Sequence, residues 1–351
     1  MFLGCAKNKQ DNPSPVNEHS TNTDTVHVPV NDPNIRFFGR WDFSSSTQFI
    51  SYWGGAYIKV KFTGTKVKIK VGNTSNFYAK IDNGDWTSYL AANGTINLTP
   101  TALTSGTHVL SVAQGKDYDY VFNFQGLILD PGASIKTPSV GTDLIEYIGD
   151  SITCGFTDNQ ANVSDYAWVC SESLGAEHTQ IAFPGIALVN GYGVNTNKTG
   201  MDVQYFKLQS LGYTISPDWN SNNYTPKIVI INLGQNDQGT SVPDKVFQAD
   251  YITFLSNIRA KFANAEIFAL RTFTGVKVAP TQAAVNARIA AGDNKVHFID
   301  TNGWLTSFPS ADYNDGAHPS VSGHIKAANL LKTHLAPYLT SSTSITNSSD
   351  K

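Results

Sequence analysis

The sequence predicts two domains: an N-terminal all-β sandwich or jelly roll, then a C-terminal α/β domain with a parallel five-stranded sheet flanked by helices. Three observations carry this. At 351 residues the chain exceeds what one hydrophobic core usually organises. From Val26 to about Ile135, apolar and polar residues alternate at period two between frequent turn signals. From Leu144 onward, short apolar runs alternate with amphipathic stretches of helical period.

Residues 1–25 read as a tether, since Ala6 to Asp24 hold Asn, Ser, Thr, Pro and Lys with almost nothing apolar. Phe2-Leu3-Gly4-Cys5 reads like the end of a bacterial lipoprotein signal in which Cys5 becomes the lipidated first residue, although the charged start and apolar stretch of such a signal do not precede it. The expectation is a secreted, periplasmic or outer-surface protein whose membrane contact is a lipid anchor at Cys5.

The β domain is placed at residues 26–138. Lys66 to Val71 alternate as a half-buried strand requires, and Ile58, Val60 and Phe62 share one strand face. Thr63-Gly64-Thr65, Asp82-Asn83-Gly84-Asp85, Ala92-Asn93-Gly94 and Ser105-Gly106 are turn signals between such runs. Trp41, Trp53 and Trp86 are expected to fill the sandwich.

The second domain is placed at 139–340, with a Ser/Thr-rich tail at 341–351. Its expected strands are Leu144–Ile148, Thr179–Phe183, Lys227–Leu233, Glu266–Arg271 and Val296–Asp300. Its expected helices are Asp165–Leu174, Val246–Phe262, Thr281–Ala291 and Ser320–Tyr338. In the last, Val321, Ile325, Ala328, Leu331 and Leu335 form one apolar face.

Composition narrows the function classes. Hydrophobic residues at 40% and charged residues at 15% describe a globular chain. The net charge of −3 has its Lys and Arg scattered, so no nucleic-acid partner is expected. No run of ~20 apolar residues offers a spanning helix. The eight histidines lack the Glu or Cys spacing of a zinc site, so neither metal nor cofactor is expected. Cys154 and Cys170 either pair or, the preferred reading, stay as buried thiols. No protein partner can be read.

Chemistry collects at the carboxyl ends of strands in such a sheet, and three polar clusters lie there or just before a helix. Gly149-Asp150-Ser151-Ile152-Thr153 follows the first strand, which exposes a serine hydroxyl on a strand-to-helix turn; Asp150 is read as holding that turn. Gly234-Gln235-Asn236-Asp237 follows the third strand, where Asn236 offers amide donors. Asp315-Gly316-Ala317-His318-Pro319 precedes the last helix, so Asp315 can accept the imidazole N–H of His318, and Pro319 suits the first helical position. Each cluster alone is an ordinary turn. Their joint occurrence in this order is informative.

Together the clusters resemble the first, third and fifth sequence blocks of the SGNH (GDSL-like) hydrolase superfamily over residues 140 to 340. Gly185, in Ile181-Ala182-Phe183-Pro184-Gly185, resembles the intervening glycine, with Gly191 and Gly193 close by. Gly149-Asp150-Ser151-Ile152-Thr153-Cys154-Gly155, preceded by Phe38-Gly39-Arg40-Trp41-Asp42 in a β domain, is similar to carbohydrate esterase family 2. The resemblance implies a serine acetyl esterase acting on plant polysaccharides such as acetylated xylan or glucomannan. It implies Ser151 as nucleophile, His318 as base and Asp315 as its orienting acid. The oxyanion donors it implies are the Ser151 amide, the Gly185 amide and Asn236. Trp219 and Trp304 are the tryptophans best placed to offer sugars an aromatic platform. Two alternatives stay open: a lipid or acyl-thioester hydrolase of the same fold, and a carbohydrate-binding surface protein whose hydrolase domain is secondary.

Overall fold

A computed structural model describes residues 24–115, 121–195, 198–213 and 216–340. The expectations for Cys5, for most of the tether and for the 341–351 tail fall outside these residues.

The N-terminal part contains ten strands: β1 (Val26–Val28), β2 (Arg36–Phe38), β3 (Trp41–Asp42), β4 (Phe49–Ser51), β5 (Tyr57–Gly64), β6 (Val67–Ile81), β7 (Thr87–Asn97), β8 (Gly106–Gln114), β9 (Phe122–Leu129) and β10 (Ile135–Lys136). The main path runs β10-β5-β8-β6-β9-β4-β3, with β1 on β9, β2 on β5 and β7 on β6. All these pairings are antiparallel. The long strand β6 changes partner along its length: Val67–Val71 pair with β9, and Phe77–Ile81 pair with β8. A strand that passes from one layer to another in this way makes a corner of the sandwich. Val67, Ile69 and Val71 are buried and alternate with more exposed lysines, as the period-two pattern requires. Ile58, Val60 and Phe62 face the same core. One turn expectation is corrected. Ala92-Asn93-Gly94 lies inside β7, where the register against β6 shifts between Val71 and Ser75, so these residues mark an irregular strand.

The C-terminal sheet has the order β12-β11-β13-β14-β15 and is wholly parallel. Its strands are β11 (Leu144–Gly149), β12 (Glu177–Ala182), β13 (Ile228–Asn232), β14 (Glu266–Leu270) and β15 (Val296–Ile299). Every residue of the central strand β13 is buried, because helices cover both faces. The longer helices are α1 (Tyr166–Leu174), α4 (Asp244–Lys261), α5 (Val278–Ala290) and α6 (Val321–Leu335); α2 (Met201–Gln204) and α3 (Gln235–Gly239) are short. No helix among the described residues is long and apolar enough to cross a membrane.

Helix α1 begins where Asp165 accepts the amides of Ala167 and Trp168. Helix α6 begins one residue later than expected, because Ser320 is the cap and accepts the Gly323 amide. Pro319 therefore stays in the preceding loop, bridged to Tyr313. The buried face of α6 is also corrected: His324, Ala327, Ala328, Leu331 and Leu335 point inward, while Val321 and Ile325 are over 40% exposed. His324 draws the helix round, since its Nδ1 accepts the Tyr166 amide at 3.2 Å. Cys154 and Cys170 are buried and not joined in a disulfide, and burial pushes the Cys170 thiol up to about 12.

The two parts interlock. Arg40, on the turn from β2 to β3, enters the α/β domain and is 1% exposed. Its Nη1 donates to the carbonyls of Tyr205 and Lys207, and its guanidinium lies against the rings of Tyr205, Trp219 and Trp53. Glu146 on β11, fully buried, lies 3.9 Å from Arg40 Nη2 and accepts the hydroxyls of Tyr205 and Tyr224. Of the three tryptophans assigned to the sandwich, Trp41 fills it. Trp53 instead packs into the α/β core and donates to the Leu208 carbonyl, and Trp86 lies edge-on to Trp168 of α1. Arg40→Ala would strand the Glu146 charge without its cation. Its expected cost is about 3–5 kcal/mol, to be read as a lowered urea midpoint; an unchanged midpoint would show that the tyrosines alone satisfy Glu146.

Candidate active site

The strand β11 ends at Gly149, where a Cβ would lie 2.0 Å from Thr153 Oγ1, so only glycine lets the chain fold back this tightly. Ser151 then opens a 3₁₀ turn, Ser151–Cys154, capped by Asp150 through the Ile152 amide at 3.0 Å. Gly155 closes the turn in a left-handed conformation. The serine is thus held at the carboxyl end of the central part of the sheet, with its backbone fixed on both sides.

His318 reaches this serine from the loop before α6. Its Nε2 lies 2.9 Å from Ser151 Oγ, and its Nδ1 lies 2.8 Å from Asp315 Oδ2. Asp315 Oδ1 also accepts the amides of Ala317 and His318, each at 2.8 Å. Burial opposes the charge on Asp315, but the two amides and then the His318 ring outweigh it and hold the carboxyl below the usual range. An ionised Asp315 fixes the proton on Nδ1, which leaves Nε2 free to accept one. The Phe156 ring packs against His318 at 5.0 Å.

Asn314 holds the histidine loop to the serine side. Its amide donates to the His318 carbonyl at 2.9 Å, while its Nδ2 donates to Thr157 Oγ1 and Asp158 Oδ1. Burial pushes Asp158 up to about 6. Neither Asn314 nor Asp158 was singled out from sequence. For Asn314 the only sign was its place directly before Asp315.

The third cluster completes the floor. Asn236 Nδ2 donates to the Ile186 carbonyl at 2.9 Å and, more weakly, to Asp150 Oδ2 at 3.3 Å. Asp237 accepts the amides of Leu188 and Val189, which fastens the loop after β12. Gly185 in that loop has φ +79 and accepts the Val194 amide through its carbonyl. Neither the Ser151 nor the Gly185 amide has a partner among the described residues. Asp150 therefore holds the serine turn, as expected, and also tethers Asn236. Burial pushes Asp150 up to about 7 and Asp237 up to about 6. A serine, a base and an orienting carboxylate in line can form and break an acyl bond.

Two expected residues fall elsewhere. Trp219 is 8% exposed and lies against Arg40 and Tyr224 at the domain junction. Trp304 is 7% exposed and packs between Phe273 and His334. Neither offers sugar an open face, because burying an indole in a core outweighs leaving it wet. Among the described residues no group of three or more His, Cys, Asp or Glu side chains is arranged for a metal ion.

Comparison with known proteins identifies the family of each part of the chain. Residues 147–325 match the sequence model of the GDSL-like Lipase/Acylhydrolase family, and residues 37–138 match that of the Carbohydrate esterase 2 N-terminal domain. The chain is 29% identical over 321 residues to a cellulase/esterase of Acetivibrio thermocellus, covering 84% of this chain but 38% of that protein. It is 22% identical over 360 residues to an acetylxylan esterase / glucomannan deacetylase of Cellvibrio japonicus, covering 95% of each. A family two carbohydrate esterase from Clostridium thermocellum, solved with cellohexaose, superposes with a TM-score of 0.76 at 28% identity, over 86% of this chain and 98% of that one.

Proposed function

The chain belongs to the GDSL-like lipase/acylhydrolase family, and we propose that it removes O-acetyl groups from plant cell-wall polysaccharide through an acyl-enzyme on Ser151. One observation carries the reading: His318 bridges Ser151 Oγ and Asp315 within hydrogen-bond reach on both sides. Ser151 Oγ attacks the ester carbonyl carbon while His318 Nε2 takes its proton. The oxyanion is received by the Ser151 and Gly185 amides and by Asn236 Nδ2, whose weaker bond to Asp150 is the one given up. The tetrahedral adduct expels the sugar oxygen, which takes the proton from His318. Water then attacks the acetyl-serine in the same manner, releasing acetate and restoring Ser151. Each oxyanion donor typically contributes about 10²–10³ in rate.

The polysaccharide part of the proposal is supported by the activities of the relatives and by the cellohexaose held by a structural neighbour. Its test is acetate release from acetylated xylan and glucomannan, with the Ser151→Ala variant beside the native chain. Release by the native chain alone is expected. Cleavage of aryl acetates with neither polymer touched would sink it, and a rate rising from acetate to butyrate esters would favour a lipid or thioester substrate. Glycan binding without ester cleavage would favour a binding protein.

A cell-wall polysaccharide lies outside the cell that degrades it, and Phe2-Leu3-Gly4-Cys5 has the character of a lipidation signal; we therefore also propose a secreted or surface location with a lipid at Cys5. Labelled palmitate is expected on the native protein in its host and not on Cys5→Ala. Equal labelling of both would remove the anchor.

A further inference from the structure

A cavity of about 420 Å³ adjoins the candidate active site, at the carboxyl ends of β14 and β15. Its volume lies in the range of small-molecule sites, about 300–1,000 Å³. Gly316, between Asp315 and His318, forms part of its wall. Thr274 across it donates to Gln235, the neighbour of Asn236. The cavity thus shares a wall with the loop that carries His318, and Thr274 ties it to the helix that carries Asn236, so a glycan unit seated in it would hold an adjoining ester toward Ser151.

Its chemistry is specific. Arg271, the residue after β14, lines the cavity with a side chain 19% exposed. Gly275, at φ +76, lets the guanidinium settle: a Cβ there would lie 2.4 Å from Nη2. No hydrogen bond to the Arg271 guanidinium occurs among the described residues. Its nearest acid, Asp300, is 3.6 Å from Nε, beyond hydrogen-bond distance, and 63% exposed, so water screens it. A largely desolvated guanidinium with its outer nitrogens unused is a fork shaped for a carboxylate. Tyr313 and Asn302 line the same space and add polar groups suited to hydroxyls. Phe308, 51% exposed and also lining the cavity, offers a ring for the apolar face of a sugar.

We propose that this cavity is a subsite for a uronic acid unit of the acetylated glycan, its carboxylate paired with Arg271. The proposal rests on the esterase reading above and narrows its substrate to acidic, acetylated polysaccharide. Neutral sugars would cover the guanidinium while offering its outer nitrogens no charged acceptor, which is the costly state.

The test compares kcat/KM on acetylated xylo-oligosaccharides with and without a uronic acid branch, matched in length and acetyl content. The native enzyme is expected to prefer the acidic substrate, with a preference that falls as salt rises. Arg271→Gln is expected to reduce the acidic-to-neutral ratio roughly 10- to 100-fold. Arg271→Lys, which keeps the charge but not the fork, is expected to recover only part of it. Equal native rates on the two substrates, or a ratio unmoved by Arg271→Gln, would overturn the subsite and leave the deacetylase intact. Cleavage of aryl acetate but of neither oligosaccharide would overturn the glycan reading itself.

Discussion

Ser151→Ala and His318→Ala are each expected to lower kcat by about 10⁴- to 10⁶-fold, and the double variant by no more than the worse single. The reason is geometric. His318 Nε2 sits 2.9 Å from Ser151 Oγ and in the proposed mechanism is the base this serine uses, so without the serine the base has nothing to activate. Without the base, the hydroxyl stays protonated and weakly nucleophilic. The two side chains form one unit, and removing half of it forfeits the whole. What remains is stabilisation from the Ser151 and Gly185 amides and from Asn236, worth roughly 10³–10⁴ over water in comparable sites. Acetate release from an aryl acetate, with substrate kept well above KM, reads all three variants. Losses that multiply in the double variant would mean that serine and histidine act in separate steps, which this mechanism does not allow.

The two-domain fold was legible because its signals are local. Period-two runs such as Lys66 to Val71 and helical stretches such as Asp165 to Leu174 each obey one rule within a few residues. The serine, histidine and aspartate were legible only jointly: each cluster alone reads as an ordinary turn, and it is their order along the chain that resembles the blocks of the SGNH hydrolases. What escaped depends on contacts distant in sequence. Arg40 looked like part of a turn, yet its partner Glu146 is 106 positions away and belongs to the other domain. Trp53 likewise reads as sandwich filling until the α/β core takes it. Trp219 and Trp304 sat in loops of the right kind, but loop position says nothing of which side an indole turns. Val321 and Ile325 show the limit of periodicity itself. A helix with Gly323, His324, Ala327 and Ala328 on one side packs closely on that side, and Val321 and Ile325 in the same turns are left outside.

The interlock at Arg40 also bears on how the β domain serves the site. Glu146 lies on β11, the strand that ends two residues before Ser151. The guanidinium that neutralises it comes from the β domain, so the base of the nucleophile strand is completed only when both domains are joined. The antiparallel part is therefore a structural partner of the sheet. Tyr57 and Lys59 repeat the arrangement on the edge strand, where both reach Glu177 of β12.

Asp315→Asn is expected to lower kcat by about 10³- to 10⁴-fold while leaving the fold nearly as stable. In the native site Asp315 Oδ1 serves the amides of Ala317 and His318, and Oδ2 faces His318 Nδ1. Asparagine keeps one oxygen, and the two backbone amides claim it. Its NH₂ must then face Nδ1, which can accept that bond only by giving up its own proton. The proton moves to Nε2, the atom that has to receive the proton of Ser151, and the base is disabled by its tautomer alone. The loop meanwhile stays in place, because Asn314 still holds the His318 carbonyl and the Thr157–Asp158 segment. Asp315→Ala makes the contrast: it frees both amides, so a loss of roughly 0.5–2 kcal/mol in stability is expected beside the loss of rate. Thermal midpoints and kcat measured on both variants separate the two effects. A kcat for Asp315→Asn within tenfold of native would mean that the loop and Asn314 position His318 unaided, and that the carboxylate is dispensable to this serine.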